Sequence, residues 1–173
     1  MATSKRTATL PGFGVTRMTR EDLLAQLAQL SDEDLEVALK AGRASEKARQ
    51  RDSYFLHHFF AERRVEDRDG QAAITLPVTD LILNPAKMVH GGVTAFLCDN
   101  AMGMASYMEK RRPGVTLEMS VRYHKPGRGR QLVARGEVVA AGALLNSARC
   151  EVRDDSGALV ATATGTFYHR QAR

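Results

Sequence analysis

Tryptophan is absent from the 173 residues, and the chain has only two cysteines, five prolines and 6% aromatic residues. Two cysteines make no disulfide framework for a chain of this length. Cys98 falls in an apolar helical stretch and Cys150 in an alternating one, which fits a reducing cytoplasm. No spacing of Cys, His, Asp or Glu matches a metal site, so neither a metal nor a redox cofactor is expected. Although 43% of the chain is hydrophobic, no apolar run approaches about 18 residues, and no membrane span is expected. The length suits one domain with a real core, carrying an extension.

Acidic residues are scarce in one half only. Residues 1–70 hold 12 Lys/Arg against 12 Asp/Glu, and residues 71–173 hold 13 against 8, so the whole net charge of +5 belongs to the second part. Such an excess suits a small anion bearing phosphates as well as nucleic acid.

Residues 1–18 contain no acid, and Pro11, Gly12 and Gly14 oppose the amphipathic helix of a transit peptide, so a tail is expected. Thr19 with Asp22, and Ser31 with Asp34, have capping-box spacing and predict helices over Arg20–Leu30 and Asp32–Arg49. Their apolar stripes are Leu23, Leu24, Leu27 and Leu30, then Leu35, Val37, Ala38 and Leu39. Neutral overall charge argues against a DNA-binding pair, because phosphate contacts dominate such binding. A helical arm packed on the domain or on a partner subunit is expected instead. A third helical stretch runs from Tyr54 to Phe60.

From Arg63 the period changes to two. Asp69-Gly70 marks a hairpin turn after Val65, and Ile74, Leu76 and Val78 alternate with Ala73, Thr75 and Pro77. Next comes the stretch around which the chain is organised, Asn84 to Glu109. Beyond a glycine pair it has helical length and almost no polar face, so a helix buried on all sides is expected. Asp99 and Asn100 are its strongly polar interior residues. At about 100° per residue, Gly92, Phe96, Asp99, Gly103 and Ser106 share a face, so one carboxylate lies between two glycines.

After Pro113-Gly114, Val115, Leu117, Met119, Val121 and Tyr123 alternate with Thr116, Glu118, Ser120, Arg122 and His124. Turn signals separate three more strands, roughly Gln131–Ala140, Leu144–Arg153 and Leu159–His169. One face of these is small: Ala134, Gly136 and Ala140, then Ala148 and Cys150, then Ala161, Ala163 and Gly165. The expected order is a hairpin, the central helix and a four-stranded meander, an α+β domain with a curved antiparallel sheet around one helix. The expected division is an extension over 1–53 and a domain over 54–173.

Asn84, His90-Gly91-Gly92 six residues later, and Asp99 nine residues after His90 together resemble the hotdog-fold acyl-CoA thioesterases of the phenylacetate-pathway type. Pro113-Gly114-Val115-Thr116-Leu117-Glu118-Met119 is similar to that family's strand after the central helix. The resemblance covers roughly residues 54–169. This chain carries Thr116 where close relatives have Ser, and Ala86 and Lys87 where a Gly usually follows the Asn. The resemblance implies a cytoplasmic homodimer or dimer of dimers, acyl-CoA as substrate, CoA as part of that substrate rather than a cofactor, and no nucleic acid or membrane partner.

The residues suit that chemistry. A helix N-terminus presents unpaired N–H groups, and Gly91 leaves room there for a thioester carbonyl whose oxygen becomes negative on attack. Asp99 is either the base that activates water or the nucleophile itself. Asn84 and His90 would orient thioester and water, and Thr116 would bond the water or the carboxylate. Taken singly each has a structural reading: a turn for Asn84 and His90, an interface carboxylate for Asp99, a strand residue for Thr116. Their joint spacing favours the chemical one. Gly91 and Asp99 are eight residues apart, about 12 Å along one helix, so two antiparallel helices are needed to place both groups on one carbonyl. A non-catalytic acyl-CoA-binding regulator is the alternative, and an inactive scaffold a third; the base at Asp99 favours the enzyme.

Overall fold

A computed structural model describes residues 18–51, 53–60, 63–66 and 71–170. The chain divides into two compact units, Met1–Arg43 and Ala44–Arg173. In the first, α1 spans Arg20–Leu27, and α2, Asp32–Arg51, begins. The capping box at Thr19 forms in full, and at Ser31 the side-chain half of one forms. The Thr19 hydroxyl accepts the Asp22 amide, and the Asp22 carboxylate accepts the Thr19 amide, each at 3.1 Å. The Thr19 hydroxyl, which also donates to the Asp22 carboxylate at 2.7 Å, and after it the Thr19 amide hold the Asp22 carboxyl below its ordinary range. Ser31 Oγ accepts the Asp34 amide at 3.2 Å. Helix α1 buries none of its residues, so its leucine stripe is not covered within that unit.

The second unit continues through α3 (Phe55–Phe59), β1 (Arg63–Glu66), β2 (Ala72–Pro77), a 3-10 turn at Asp80–Ile82, α4 (Gly91–Lys110), β3 (Val115–Tyr123), β4 (Gln131–Ala141), β5 (Leu145–Asp154) and β6 (Leu159–Tyr168). The Asp69-Gly70 turn lies outside the described residues, but the antiparallel pairing it was expected to join, β1 with β2, is present. All six strands form one antiparallel sheet in the order β1-β2-β4-β5-β6-β3.

That order corrects the expected meander, which holds for β4, β5 and β6 but not for β3. The strand after the central helix lies at the far edge beside β6, and the chain then crosses to set β4 between β2 and β5. Alternation decides which side chains share a face and is silent about which strand is the neighbour. The crossing is held by the amides of His124 and Lys125 on the Val160 carbonyl, at 2.8 and 3.2 Å. It is held too by Gly127, whose α-carbon sits against Val89, Leu132 and Val160 with little space for a side chain.

The core lies between α4 and the concave face of the sheet. Thr94, Leu97, Cys98, Ala101, Met102, Ala105 and Ser106 form the buried stripe of α4 at helical spacing. Opposite them lie Ile74, Leu76, Leu132, Ala134, Ala148, Cys150, Val152, Ala161, Ala163 and Phe167. The expectation of a helix buried all round is corrected: the sheet covers one side, and Tyr107 and Gly92 are exposed on the other. Ser106 also leaves the Asp99 face, being fully buried. Ala140, expected on the small inner face, is exposed, because an irregularity between Val138 and Ala140 shifts the register of β4.

At Gly136 the helix rests directly on the sheet. A Cβ there would lie 2.3 Å from the Ala101 carbonyl oxygen and 2.8 Å from the Met102 nitrogen. Neither atom can turn aside as a side chain would, so Gly136 sets how closely helix and sheet approach. Gly136→Ala is expected to destabilise the domain by about 3 kcal/mol, in the upper range for overpacking. Urea unfolding should show a lower midpoint at unchanged slope.

The candidate active site

Helix α4 begins at a loop tied together by Asn84. Its Oδ1 accepts the amides of Ala86 and Met88 at 3.0 and 3.2 Å, and its carbonyl accepts the Lys87 amide at 2.9 Å. Lys87 adopts a left-handed conformation with φ 55°. Gly is easiest there, so Lys87 takes up the backbone form suited to the glycine that usually follows the Asn. The two amides on Asn84 offset the strain of a lysine in it.

His90 is the N-cap of α4. Its own amide donates to the Ile82 carbonyl at 2.8 Å, and its Nδ1 accepts the Gly92 amide at 3.0 Å. A nitrogen that accepts carries no proton, so neutral His90 bears its hydrogen on Nε2. The next two amides, Val93 and Thr94, both donate to the His90 carbonyl, at 2.9 and 3.1 Å. Gly91 stands at the first helical position, where no intrahelical acceptor exists for its N–H. Among the described residues, no protein group accepts that hydrogen. No acidic residue stands in the first turn to offset the positive end of the helix dipole.

Asp99 lies two turns further on. Its Oδ1 accepts the Thr116 hydroxyl at 2.7 Å. The structure therefore brings Asp99 and Thr116 together, and separately gathers Asn84, His90 and Gly91 around the helix start. Within one chain it does not bring the two groups together, as the length of helix between them requires. Phe96, one turn before Asp99, meets Phe60 with ring centroids 5.5 Å apart and His57 at 6.4 Å.

Two features escaped the sequence. The first is a bulge: Thr116 pairs with Phe167 and Glu118 with Thr166, leaving Leu117 as an extra residue. Strict alternation sets Thr116 opposite Met119 and Tyr123; the bulge returns it to their face, toward α4. The second is Tyr123, whose hydroxyl donates to the Gly91 carbonyl at 2.8 Å. A tyrosine closing an apolar row, whose hydroxyl must find a partner, was the available signal.

Other groups are ruled out of the chemistry by their surroundings. The Cys98 thiol beside it, and then burial, push the Cys150 thiol far above its ordinary range, so it carries no thiolate. Ser106 and His169 are bonded at 2.8 Å but both are fully buried. Among the described residues, no group of three or more His, Cys, Asp or Glu is placed to hold a metal ion, and no helix is long and apolar enough to cross a membrane.

Known proteins share this arrangement. The family model of the thioesterase superfamily matches residues 86–161, from the Asn84 loop into β6. A protein of Archaeoglobus fulgidus, provisionally named an esterase, is 32% identical over 114 residues, which cover 65% of this chain and 73% of that one. The BH2602 protein of Bacillus halodurans, solved with CoA, is 31% identical with a TM-score of 0.72, over 85% of this chain and 99% of its own. The PaaI protein of Escherichia coli, from the phenylacetic acid degradation operon, shares the fold at 20% identity and a TM-score of 0.65, over 79% and 97% of the two chains. With this match, these identities and a curved sheet around a central helix shared with the solved structures, the chain belongs to the thioesterase superfamily and has the hotdog fold.

Proposed function

We propose that the protein is an acyl-CoA thioesterase, hydrolysing the thioester to a free carboxylic acid and CoA. The observation that carries this reading is the Thr116–Asp99 hydrogen bond at 2.7 Å, which holds a carboxylate on the flank of the helix beside the edge strand β3. The CoA bound to the Bacillus halodurans relative supports an acyl-CoA substrate. CoA itself is part of that substrate, and no further cofactor enters the reaction.

The acyl carbonyl oxygen is received by the Gly91 N–H at the helix start. His90, with its hydrogen on Nε2, offers a second donor to the thioester. Water attacks the carbonyl carbon as Asp99 takes its proton; Thr116 holds Oδ1 so that Oδ2 faces the water. The C–S bond then breaks, and the leaving CoA sulfur takes the proton that Asp99 holds, giving the thiol and restoring the carboxylate. In the alternative course Asp99 attacks directly and water cleaves the resulting anhydride. Asn84 acts through the loop: its side-chain Oδ1 is committed to the amides of Ala86 and Met88, so it shapes the approach to the helix start.

The working unit in this reading is a homodimer with composite sites, Gly91 of one protomer facing Asp99 of its partner. A dimer of such dimers is the further level of assembly consistent with this reading. The half-open face of α4 and the edge strand β3, with Val115 and Leu117 exposed, support such an assembly. Two free, buried cysteines support a reducing compartment such as the cytoplasm.

Asp99→Asn keeps an acceptor for Thr116 but cannot take a proton, and kcat is expected to fall at least about 100-fold. Affinity for a non-hydrolysable thioether analogue, measured by calorimetry, should change far less. Gly91→Pro removes the unpaired N–H and suits its place, since proline favours the first helical position and His90 already has the extended ψ of 135° that must precede it. Mixing the two inactive variants should restore activity, because one composite site in each mixed dimer is intact. Mixed dimers that form yet stay inactive would falsify the shared site.

Thr116→Val removes the hydroxyl at constant shape and should lower kcat about tenfold, whereas Thr116→Ser should keep most of it. Equal activity in the valine and serine variants would remove Thr116 from the mechanism.

A further inference from the structure

The geometry points to Tyr123 as the positioning residue of the helix-start half-site: by donating its hydroxyl to the Gly91 carbonyl, it locks the glycine whose N–H receives the thioester oxygen. This rests on the thioesterase reading and adds to it a residue outside the Asn, His-Gly-Gly and Asp pattern.

Gly91 has the least conformational restraint of any residue, and it stands in the first turn, where helices fray. An oxyanion donor must instead be held in place before the reaction begins. The two peptide units flanking Gly91 are both fixed. The one before it is held through the His90 carbonyl, which accepts Val93 and Thr94. The one after it is gripped at both ends, its carbonyl by the Tyr123 hydroxyl at 2.8 Å and its N–H by His90 Nδ1 at 3.0 Å. With both planes fixed, φ and ψ of Gly91 are fixed, and so is the direction of its N–H.

The Tyr123 ring packs beside the glycine: a Cβ on Gly91 would lie 3.4 Å from the Tyr123 hydroxyl oxygen and 3.5 Å from Cζ, ordinary van der Waals contact. The tyrosine thus supplies, through its hydrogen bond, the rigidity that glycine lacks. Desolvation, and after it the Cys98 thiol nearby, raise the Tyr123 hydroxyl above its ordinary range, so it keeps its proton and remains a donor at any pH the protein meets. A donor that were merely filling space would have no such need of a partner, since Tyr123 is 52% exposed and water is available to it.

Strand β3 therefore serves both half-sites. Its first end sets Asp99 through Thr116, and its last residue sets Gly91 through Tyr123. These two residues are seven apart, an odd number that points opposite ways in a regular strand, and the extra residue at Leu117 brings them to one face.

Tyr123→Phe in the full-length chain is the test, since it keeps the ring and deletes the bond. The expected result is a loss of about tenfold in kcat, smaller than removing an oxyanion donor itself. KM and the affinity for the thioether analogue should stay within about twofold, and amide exchange at Gly92, followed by NMR, should quicken. A loss appearing in KM alone would make Tyr123 a substrate contact and overturn the proposal. So would unchanged kcat in a wild-type-active background. A wild-type protein that hydrolysed no acyl-CoA, short, long or aryl, would instead remove the thioesterase reading on which the proposal stands.

Discussion

The close approach of α4 to the sheet is the constraint on which the rest of the domain depends. At Gly136 the helix backbone occupies the space of a missing side chain. Around that point the sheet presents Ala134, Ala148, Cys150, Ala161 and Ala163. A floor of small side chains brings the helix axis low enough for strand β3, at the sheet edge, to reach its flank. Thr116 and Tyr123 have short enough reach that a helix raised by larger floor residues would lie beyond their hydrogen-bonding distance. Packing in the core thus sets distances in the candidate site.

A second, polar anchor holds the other end of the helix. The His169 ring is fully buried, with Nδ1 at 3.1 Å from the Arg112 carbonyl and Nε2 at 2.8 Å from Ser106 Oγ. A carbonyl only accepts, so Nδ1 carries the hydrogen and Nε2 accepts from Ser106, which accepts in turn from Asn146 Nδ2 at 2.9 Å. The chain of donors runs one way through three elements. Gly114 makes room for it, because a Cβ there would lie 2.6 Å from the imidazole. Lys110, Arg112 and the His169 amide then donate to the successive carbonyls of Gly142, Ala143 and Leu144. The helix end, the start of β3 and the β4–β5 turn move as one piece, which fixes where Thr116 enters the strand. The network is satisfied along this line of donors, while Asn146 Oδ1 and Arg112 Nε are buried without a hydrogen-bond partner among the described residues.

The charge excess of the second part of the chain finds no single use. Arg149 bonds Glu137, Arg153 bonds Glu151 and Arg130 bonds Asp155, so several of its arginines are matched locally. The convex face of the sheet is accordingly a mixed-charge surface, which suits solvent rather than a polyanion. The proposed reaction would instead use the positive end of one helix dipole and one carboxylate.

Much of this was already legible along the chain. The caps at Thr19 and Ser31, the helix from the glycine pair to Lys110, every strand after it, the small floor and the lone carboxylate at Asp99 follow from local rules. Those rules are helical and strand periods, capping preferences and the intolerance of turns for ordinary residues, and each acts over a few neighbouring positions. The strand order was not legible, because alternation in β3 reads the same whether its neighbour is β4 or β6. Nor was the bulge at Leu117, which exists only in the pairing of two strands some fifty positions apart and which reverses the side that Thr116 faces. Tyr123 on Gly91, Ser106 on His169 and the left-handed Lys87 held by Asn84 likewise depend on where distant backbone comes to rest. The sequence by itself determined the elements and the chemical groups; the tertiary structure decided which groups share a face, because register and close approach are properties of pairs of segments.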